Sequence, residues 1–438
     1  MSDRLVGMMG RIWRTVVPAP IRRRLQGPAN WYINRAVFNT LKGRRVEGKG
    51  PLVVSGFLAE PFGIGRAGMM TVKGLEHGCL QPRTHHLRPL LETGKFNAET
   101  IDDLVDGGVW ILHCNPDEAR VAISRLRPAS FERTYRIGFW AYELPTAPPD
   151  WIRTSQLFNE IWVPSQFVAD SLKGVRVPVR VMPHFIQPSE AGDGERMREQ
   201  LGLPQDAFIV AASGDLRSSL VRKNVMGAID IFEKAFPDSG PARLVIKISG
   251  AKHSPEILAA IRDRAARNPS IRLVQNLLSE SEMKDFRACW DLFLSPHRSE
   301  GFGMVIAETM MLGKPVLATG WSGNMQFMHG LDPMLIDYTL KPVRDSEGVY
   351  RLPDGNLWAE PDMDDAAAKL RRFAEDPDFT RQMGQKGRER ILKNNRIWEE
   401  LGRRGGPWLA YLQDHSTGPA TLAGAAGRAQ LAGYDSSV

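Results

Sequence analysis

Cysteine is nearly missing from this chain: Cys79, Cys114 and Cys289 are the only three in 438 residues, far apart and odd in number. That excludes a disulfide framework and any cysteine-rich zinc motif, and it fits a reducing cytoplasm. Long apolar runs are missing as well. No window reaches the roughly 18 unbroken apolar residues that a membrane-spanning helix needs. Arg11 and Arg14 also interrupt any apolar core of a secretion signal near the N-terminus. A cytoplasmic protein is the expectation. No internal repeat or nucleic-acid module is present, so nucleic acid is not an expected partner. The hydrophobic fraction of 42% and charged fraction of 24% are those of a globular protein. The length exceeds one ordinary core, which predicts two domains with extensions.

Positive charge is in excess. Net charge is +7, and the first fifty residues carry Arg4, Arg11, Arg14, Arg22, Arg23, Arg24, Arg35, Lys42, Arg44, Arg45 and Lys49 against Asp3 and Glu47. Leu5, Met8, Met9, Ile12, Trp13, Val16 and Val17 recur at helical spacing, so they share one face, with Arg4, Arg11 and Arg14 on others. A short basic helix with Trp on its apolar side suits an anionic membrane surface. Packing on the protein's own body or on a second subunit is the alternative.

The remainder alternates apolar runs with helical patterns, which indicates parallel α/β architecture. In the first half the runs are Pro51–Phe57, Gly108–His113 and Tyr135–Ala141, then a helical stretch ending in EIWVPSQF (Glu160–Phe167) and a short strand to Phe185. The second series comprises Phe208–Gly214, Arg243–Gly250, Ile271–Leu277, Leu292–Pro296 and Pro315–Thr319. Ser279 followed by Glu282 predicts a capping box. The expected division is 1–50 (basic extension), 51–186 and 187–378 (two Rossmann-like domains), 379–414 (C-terminal helices) and 415–438 (a disordered tail rich in small residues). Two doubly wound domains make a cleft between the carboxyl ends of their sheets, where such sheets bind ligands.

Ser299–Gly320, reading SEGFGMVIAETMMLGKPVLATG, holds the densest chemistry. Glu300 and Glu308 flank a Gly-Phe-Gly turn that opens a helix. A helix start preceded by glycines presents free N–H groups and the positive end of the dipole, which suits phosphate. Ionised carboxylates beside it accept hydrogen bonds from sugar hydroxyls. Phosphate and sugar together suggest an activated sugar nucleotide. For Glu300 the bland alternative is favourable charge at a helix start; for Glu308 it is an ordinary surface glutamate.

This string resembles the E-x7-E signature of retaining GT-B glycosyltransferases of family 4. The likeness extends to Gly214–Phe236, Arg136–Ile152, Glu160–Leu172, Val179–Ile186 and Gly320–Met328, similar to a bacterial branch that builds surface polysaccharides and lipopolysaccharide. It covers roughly Val53 to Trp398, and an ordered set of segments is far more specific than one motif. The resemblance implies an α/β GT-B fold, a nucleoside-diphosphate sugar as donor, and a glycan or lipid-linked glycan as acceptor. It implies no cofactor and no metal, because cations neutralise the leaving diphosphate.

By that resemblance Glu300 would hold donor-sugar hydroxyls and Glu308 the ribose, while Gly301, Phe302 and Gly303 bring backbone amides to the diphosphate. Lys223 would contact the diphosphate. An arginine should accompany it, and Arg217 or Arg222 could do so, with Arg217 preferred. Gly63 and Gly65 (FGIGRAG) resemble the glycine loop of the first domain. His113, ending the strand GVWILH, stands where related enzymes place a histidine against the donor sugar, with a structural role as the alternative. His85, His86 and His184 receive structural readings, and Glu143 could line the acceptor side. Asp362, Asp364 and Asp365 precede a helix and read as caps rather than metal ligands. The rivals are a sugar-nucleotide epimerase or phosphorylase on the same fold, for which no motif is found, or a scaffold that has lost turnover. The scaffold should lack Glu300, Glu308 or Lys223, and all three are present.

Overall fold

The computed structural model describes residues 50–403 apart from 61, 94–106, 125, 127–130, 132, 191, 217, 238–239, 241, 251–254, 277, 346–347, 349 and 351–354. The expected amphipathic N-terminal helix and the 415–438 tail lie outside the described residues, as does Arg217.

Two six-stranded parallel sheets organise the chain. The first contains β1 (Leu52–Gly56), β2 (Arg83–His86), β3 (Val109–His113), β4 (Tyr135–Phe139), β5 (Glu160–Val163) and β6 (Val179–Val181), in the order 2-1-3-4-5-6. The second contains β7 (Phe208–Asp215), β8 (Ala242–Ser249), β9 (Ile271–Val274), β10 (Leu292–Ser295), β11 (Val316–Thr319) and β12 (Leu335–Ile336), in the order 12-11-10-7-8-9. Helices cover both, and strands buried on both faces read as continuous apolar runs. Val53, Trp110, Ile111, Val210, Leu244 and Leu317 are all fully buried.

In each sheet the strand order reverses once, between β1 and β3 and between β7 and β10, and ligands gather outside the strand ends at such switch points. Gly56 and His113, which end β1 and β3, are register partners at the first. The chain after β10 leads into the Glu300 segment at the second. Four helices matter below: α1 (Gly63–His77), α2 (Leu220–Lys223), α3 (Met304–Met311) and α4 (Pro377–Arg403).

EIWV corrects the sequence reading: it is strand β5, not the end of a helix. Its first residue is a glutamate, which disguised a strand that is wholly buried. The fold neutralises that charge: Arg180 on β6 donates to Glu160 at 2.6 Å and 3.2 Å, and Tyr135 donates at 3.0 Å. A buried carboxylate is tolerated only when paired in this way. The Ser279–Glu282 capping box forms, and Asp362 caps the next helix through the N–H groups of Asp364 and Asp365.

Where the sequence predicts helices over 379–414, the described part forms one helix, α4 (Pro377–Arg403), that returns to the first domain, and 404–414 lie outside the described residues. Trp398 is fully buried, and its ring lies where a side chain at Gly74 of α1 would collide, 2.4 Å from that Cβ position. Asn395 accepts from the Ile186 N–H at 3.1 Å and donates to the Ile186 carbonyl at 2.7 Å, fixing the connection between the sheets. A hairpin of β13 (Tyr338–Pro342) and β14 (Leu357–Pro361) reaches across as well, Asn356 bonding both the N–H and the carbonyl of Thr146 at 3.0 Å and 3.3 Å. Among the described residues no helix is long and apolar enough to cross a membrane.

Candidate functional site

A cleft of about 540 Å³ opens where the strand ends of the two sheets meet. Its floor is the β10–α3 loop, which is pinned at nearly every residue. Asn224 donates to the Pro296 carbonyl at 2.9 Å, and the Arg298 N–H donates to the Arg222 carbonyl at 2.7 Å. Arg298 grips Glu360 with two bonds of 2.8 Å. The Glu300 N–H donates to Ser322 Oγ at 2.8 Å, and Gly323 N–H donates to the Glu300 carbonyl at 2.8 Å. A loop held by so many bonds presents its groups with little reorganisation, the condition for electrostatic catalysis.

Short-range chemistry places the cations. Ser219 caps α2, and Asn224 takes a left-handed conformation (φ 55°) that ends it and at once caps the following helix. Asparagine tolerates that conformation better than most residues. This tight pivot directs Arg222 and Lys223 at the loop. Lys223 Nζ pairs with Glu300 Oε1, and Arg222 Nη1 lies 3.2 Å from Oε2 while donating to the Ser299 carbonyl at 2.7 Å. Burial alone would push the Glu300 carboxyl up, but Lys223, Arg222 and His297 outweigh it and hold it at about 2. Arg222 is itself buried and lines the cleft beside Lys223, while Arg217 lies outside the described residues.

Gly303 has φ +89° and starts α3 without a side-chain cap, leaving the first N–H groups of the helix available to an anion. At Gly301 the demand is different. A Cβ there would lie 3.0 Å from the Tyr142 carbonyl, and Ser165 Oγ donates to the Gly301 carbonyl at 2.7 Å, so this glycine admits the opposite domain. Phe302 is buried against Phe327 and His184, each ring 5.0 Å away. Glu308, on α3, pairs with Arg66 of the first domain and with Arg287 Nη2 at 3.2 Å.

The first domain supplies the opposite wall. The two glycines of FGIGRAG serve different ends. A side chain at Gly65 would strike the Glu60 and Phe57 carbonyls at 2.3 Å and 2.6 Å, so this residue seats α1 on the preceding turn. Gly63 lines the cleft, and a Cβ there would meet only Met304 Cε at 3.6 Å. His113 also lines it, stacked on Phe139 at 4.4 Å, with both ring nitrogens buried and without a hydrogen-bond partner among the described residues. Burial lowers its pKa to about 3, so the imidazole is neutral. His297, behind Glu300, is likewise pushed down to about 4 by burial.

Four cleft residues, His184, Lys247, Arg66 and Arg287, escape the sequence reading. His184, for which the sequence gives a structural reading, stacks on Phe139 at 5.4 Å with its ring 6.2 Å from that of His113, and burial with the nearby His113 lowers it to about 3. Lys247 on β8 is 8% exposed, and burial lowers its amine while Asp215 opposes the shift. A lysine inside the apolar run RLVIKISG was the available signal. Arg66 and Arg287 stand far apart in sequence from Glu308, and nothing local marks them. Glu143 lines the cleft 3.7 Å from Arg222.

A sequence model of the family described as Glycosyl transferases group 1 matches residues 208–347. The chain is similar to the trehalose synthase of Rubrobacter xylanophilus, 27% identical over 365 residues that cover 77% of each protein. Among solved structures it is similar to Anabaena Alr3699/HepE in complex with UDP and glucose, with a TM-score of 0.57 and 13% identity over 83% of this chain and 99% of that one. It is also similar to WaaG, a glycosyltransferase involved in lipopolysaccharide biosynthesis, with a TM-score of 0.54 and 14% identity over 81% of this chain and 100% of that one. The fold is GT-B, and the second domain carries the group 1 glycosyltransferase pattern.

Proposed function

We propose that the protein is a retaining hexosyltransferase that moves a sugar from a UDP- or GDP-sugar to a hydroxyl of a glycan or lipid-linked glycan in bacterial polysaccharide synthesis. One observation carries this reading: Lys223 and Arg222 converge on Glu300 beside the uncapped start of α3, inside the interdomain cleft. That arrangement offers an anion two cations and free backbone donors, with a permanently ionised carboxylate next to them for sugar hydroxyls.

As the bond from the anomeric carbon to the donor phosphate breaks, negative charge grows on the leaving diphosphate. Lys223 and the α3 start stabilise that charge, with no metal required. The acceptor oxygen bonds to the anomeric carbon on the same face, and its proton passes to the departing phosphate oxygen. Glu300 and Glu308 are both tied to cations, which suits hydroxyl recognition better than nucleophilic attack. Neutral His113 would hydrogen-bond the donor sugar without adding charge, and closure of the cleft would limit hydrolysis. The UDP and glucose held by the structurally similar Anabaena Alr3699/HepE motivate testing UDP-sugars first.

The test is a panel of UDP- and GDP-sugars assayed by thermal shift and turnover, with Lys223→Ala as control and the anomeric configuration of any product read by NMR. A stabilising, consumed donor and an inactive variant are expected. If no nucleotide sugar binds or reacts, and the variant matches the parent, the enzyme reading fails.

A further inference from the structure

The Glu308 carboxylate is held from both walls of the cleft. Arg66 reaches Oε1 from α1 of the first domain, and Arg287 reaches Oε2 at 3.2 Å from the helix Glu280–Cys289 of the second. Each carboxylate oxygen thus has its own guanidinium. The side chains are 37%, 23% and 15% exposed for Arg66, Arg287 and Glu308, and Arg66 and Arg287 both line the cleft. An isolated surface ion pair of this exposure would contribute little. This one differs because it joins two domains at a binding cleft and because both of its ends are fixed.

The origin of Arg66 is set by its neighbours. Gly65 seats α1 directly on the turn after β1, and Arg88 pairs with Glu60 to hold that turn. Arg66 therefore leaves a fixed helix start and points across the cleft. Glu308 is equally fixed, one turn inside α3. An ionised carboxylate offers about four lone-pair sites, so two arginine N–H groups leave about two for vicinal hydroxyls. The arginines orient the carboxylate without filling it, and guanidinium planes suit that task better than an ammonium.

We propose that Arg66 and Arg287 clamp Glu308 in the orientation that receives the ribose of the donor nucleotide. Arg66 does so from the opposite domain, so ribose recognition is completed only when the cleft is closed. Arg66 is a positioning residue here, acting through Glu308. The proposal rests on the nucleotide-sugar reading above.

Titration calorimetry of the full chain with UDP, GDP and pyrophosphate tests it. Arg66→Met should weaken binding of whichever nucleoside diphosphate the parent binds by about tenfold, and Arg66→Lys by less. In a Glu308→Gln background the same Arg66→Met change should cost less than about twofold. Pyrophosphate, which has no ribose, should bind Arg66→Met as it binds the parent. Arg66 is partly exposed, so the variant is expected to fold, and its melting curve verifies this. Unchanged nucleotide binding in Arg66→Met, an undiminished penalty in the Glu308→Gln background, or weakened pyrophosphate binding would each overturn the clamp while leaving the enzyme reading intact. A parent that binds neither nucleotide overturns the nucleotide-sugar reading and the clamp with it.

Discussion

Glu300 and Glu308 stand eight residues apart on one segment, yet they occupy opposite kinds of environment. Glu300 is 7% exposed, and its cations come from its own domain, a rigid pivot and a buried arginine. Glu308 is half-buried, and its cations come from two domains. The first carboxylate is part of the fold as well as of the site, because it is the nearer of the two carboxylates that pair with the buried Arg222. The second can be removed with little consequence for the core. A shared motif therefore says little about what each glutamate does for stability.

Removing the carboxylates one at a time gives the largest contrast. Glu300→Ala should cost about 3 kcal/mol, the low end for breaking a buried pair, and it should abolish measurable transfer. It removes the nearer carboxylate of a buried guanidinium and leaves Glu143, 3.7 Å away, and the Ser299 carbonyl as its partners. Glu308→Ala should change stability by under about 0.5 kcal/mol, as for a partly exposed pair, and raise the donor KM by about tenfold with kcat largely kept. Urea titration and steady-state kinetics measure both. Equal stability losses in the two variants would erase the distinction drawn here.

Acid should separate the two sites by a smaller amount. His113, His184 and His297 have pKa values depressed to about 3 or 4, so below pH 6.5 the unfolded chain binds protons that the native one does not. The stability they contribute is complete above the unfolded value and is lost as pH falls towards those native values. From pH 7 to pH 6 the three together should remove about 2 kcal/mol. Glu300, held at about 2, loses its contribution as pH falls from its ordinary value of 4.5 towards 2. His297 lies on the Glu300 side of the contrast. Denaturation at the two pH values should show the loss, and His113→Phe should remove about a third of it. A flat profile would mean that these histidines are solvated.

What could be read from the sequence follows from what is local. The Glu300–Glu308 segment was legible because a glycine turn, a helix start and two carboxylates are contiguous. Most strands were legible because parallel strands buried on both faces are unbroken apolar runs. β5 was not, because Glu160 opens it and its neutralising partner Arg180 is 20 residues away on another strand. Arg66 lies 242 residues from Glu308, so no spacing rule could pair them. His184 receives a structural reading because nothing next to it in sequence marks a site, yet it lines the cleft beside His113. Gly65 and Gly301 have packing roles beside the ligand approach that the resemblance implies: the first seats a helix, and the second, which lines the cleft, also admits the Tyr142 backbone.

Gly303 offers the finest test, because it joins the two carboxylates. Its φ of +89° is one that a side chain rarely adopts, and a Cβ would lie 3.0 Å from Ile306 Cδ1, a side-chain end that can yield. Gly303→Ala should therefore cost about 1–2 kcal/mol, chiefly in backbone strain. The strain has an expected direction. Glu300 is tied through its own backbone to Ser322 and Gly323, whereas Glu308 is carried by α3. Relaxation should move the helix start and leave Glu300 in place. Gly303→Ala should then reproduce the raised donor KM of Glu308→Ala rather than the inactivity of Glu300→Ala. A variant that loses turnover outright at unchanged donor KM would show that the strain reaches Glu300, and that the two carboxylates are mechanically one site.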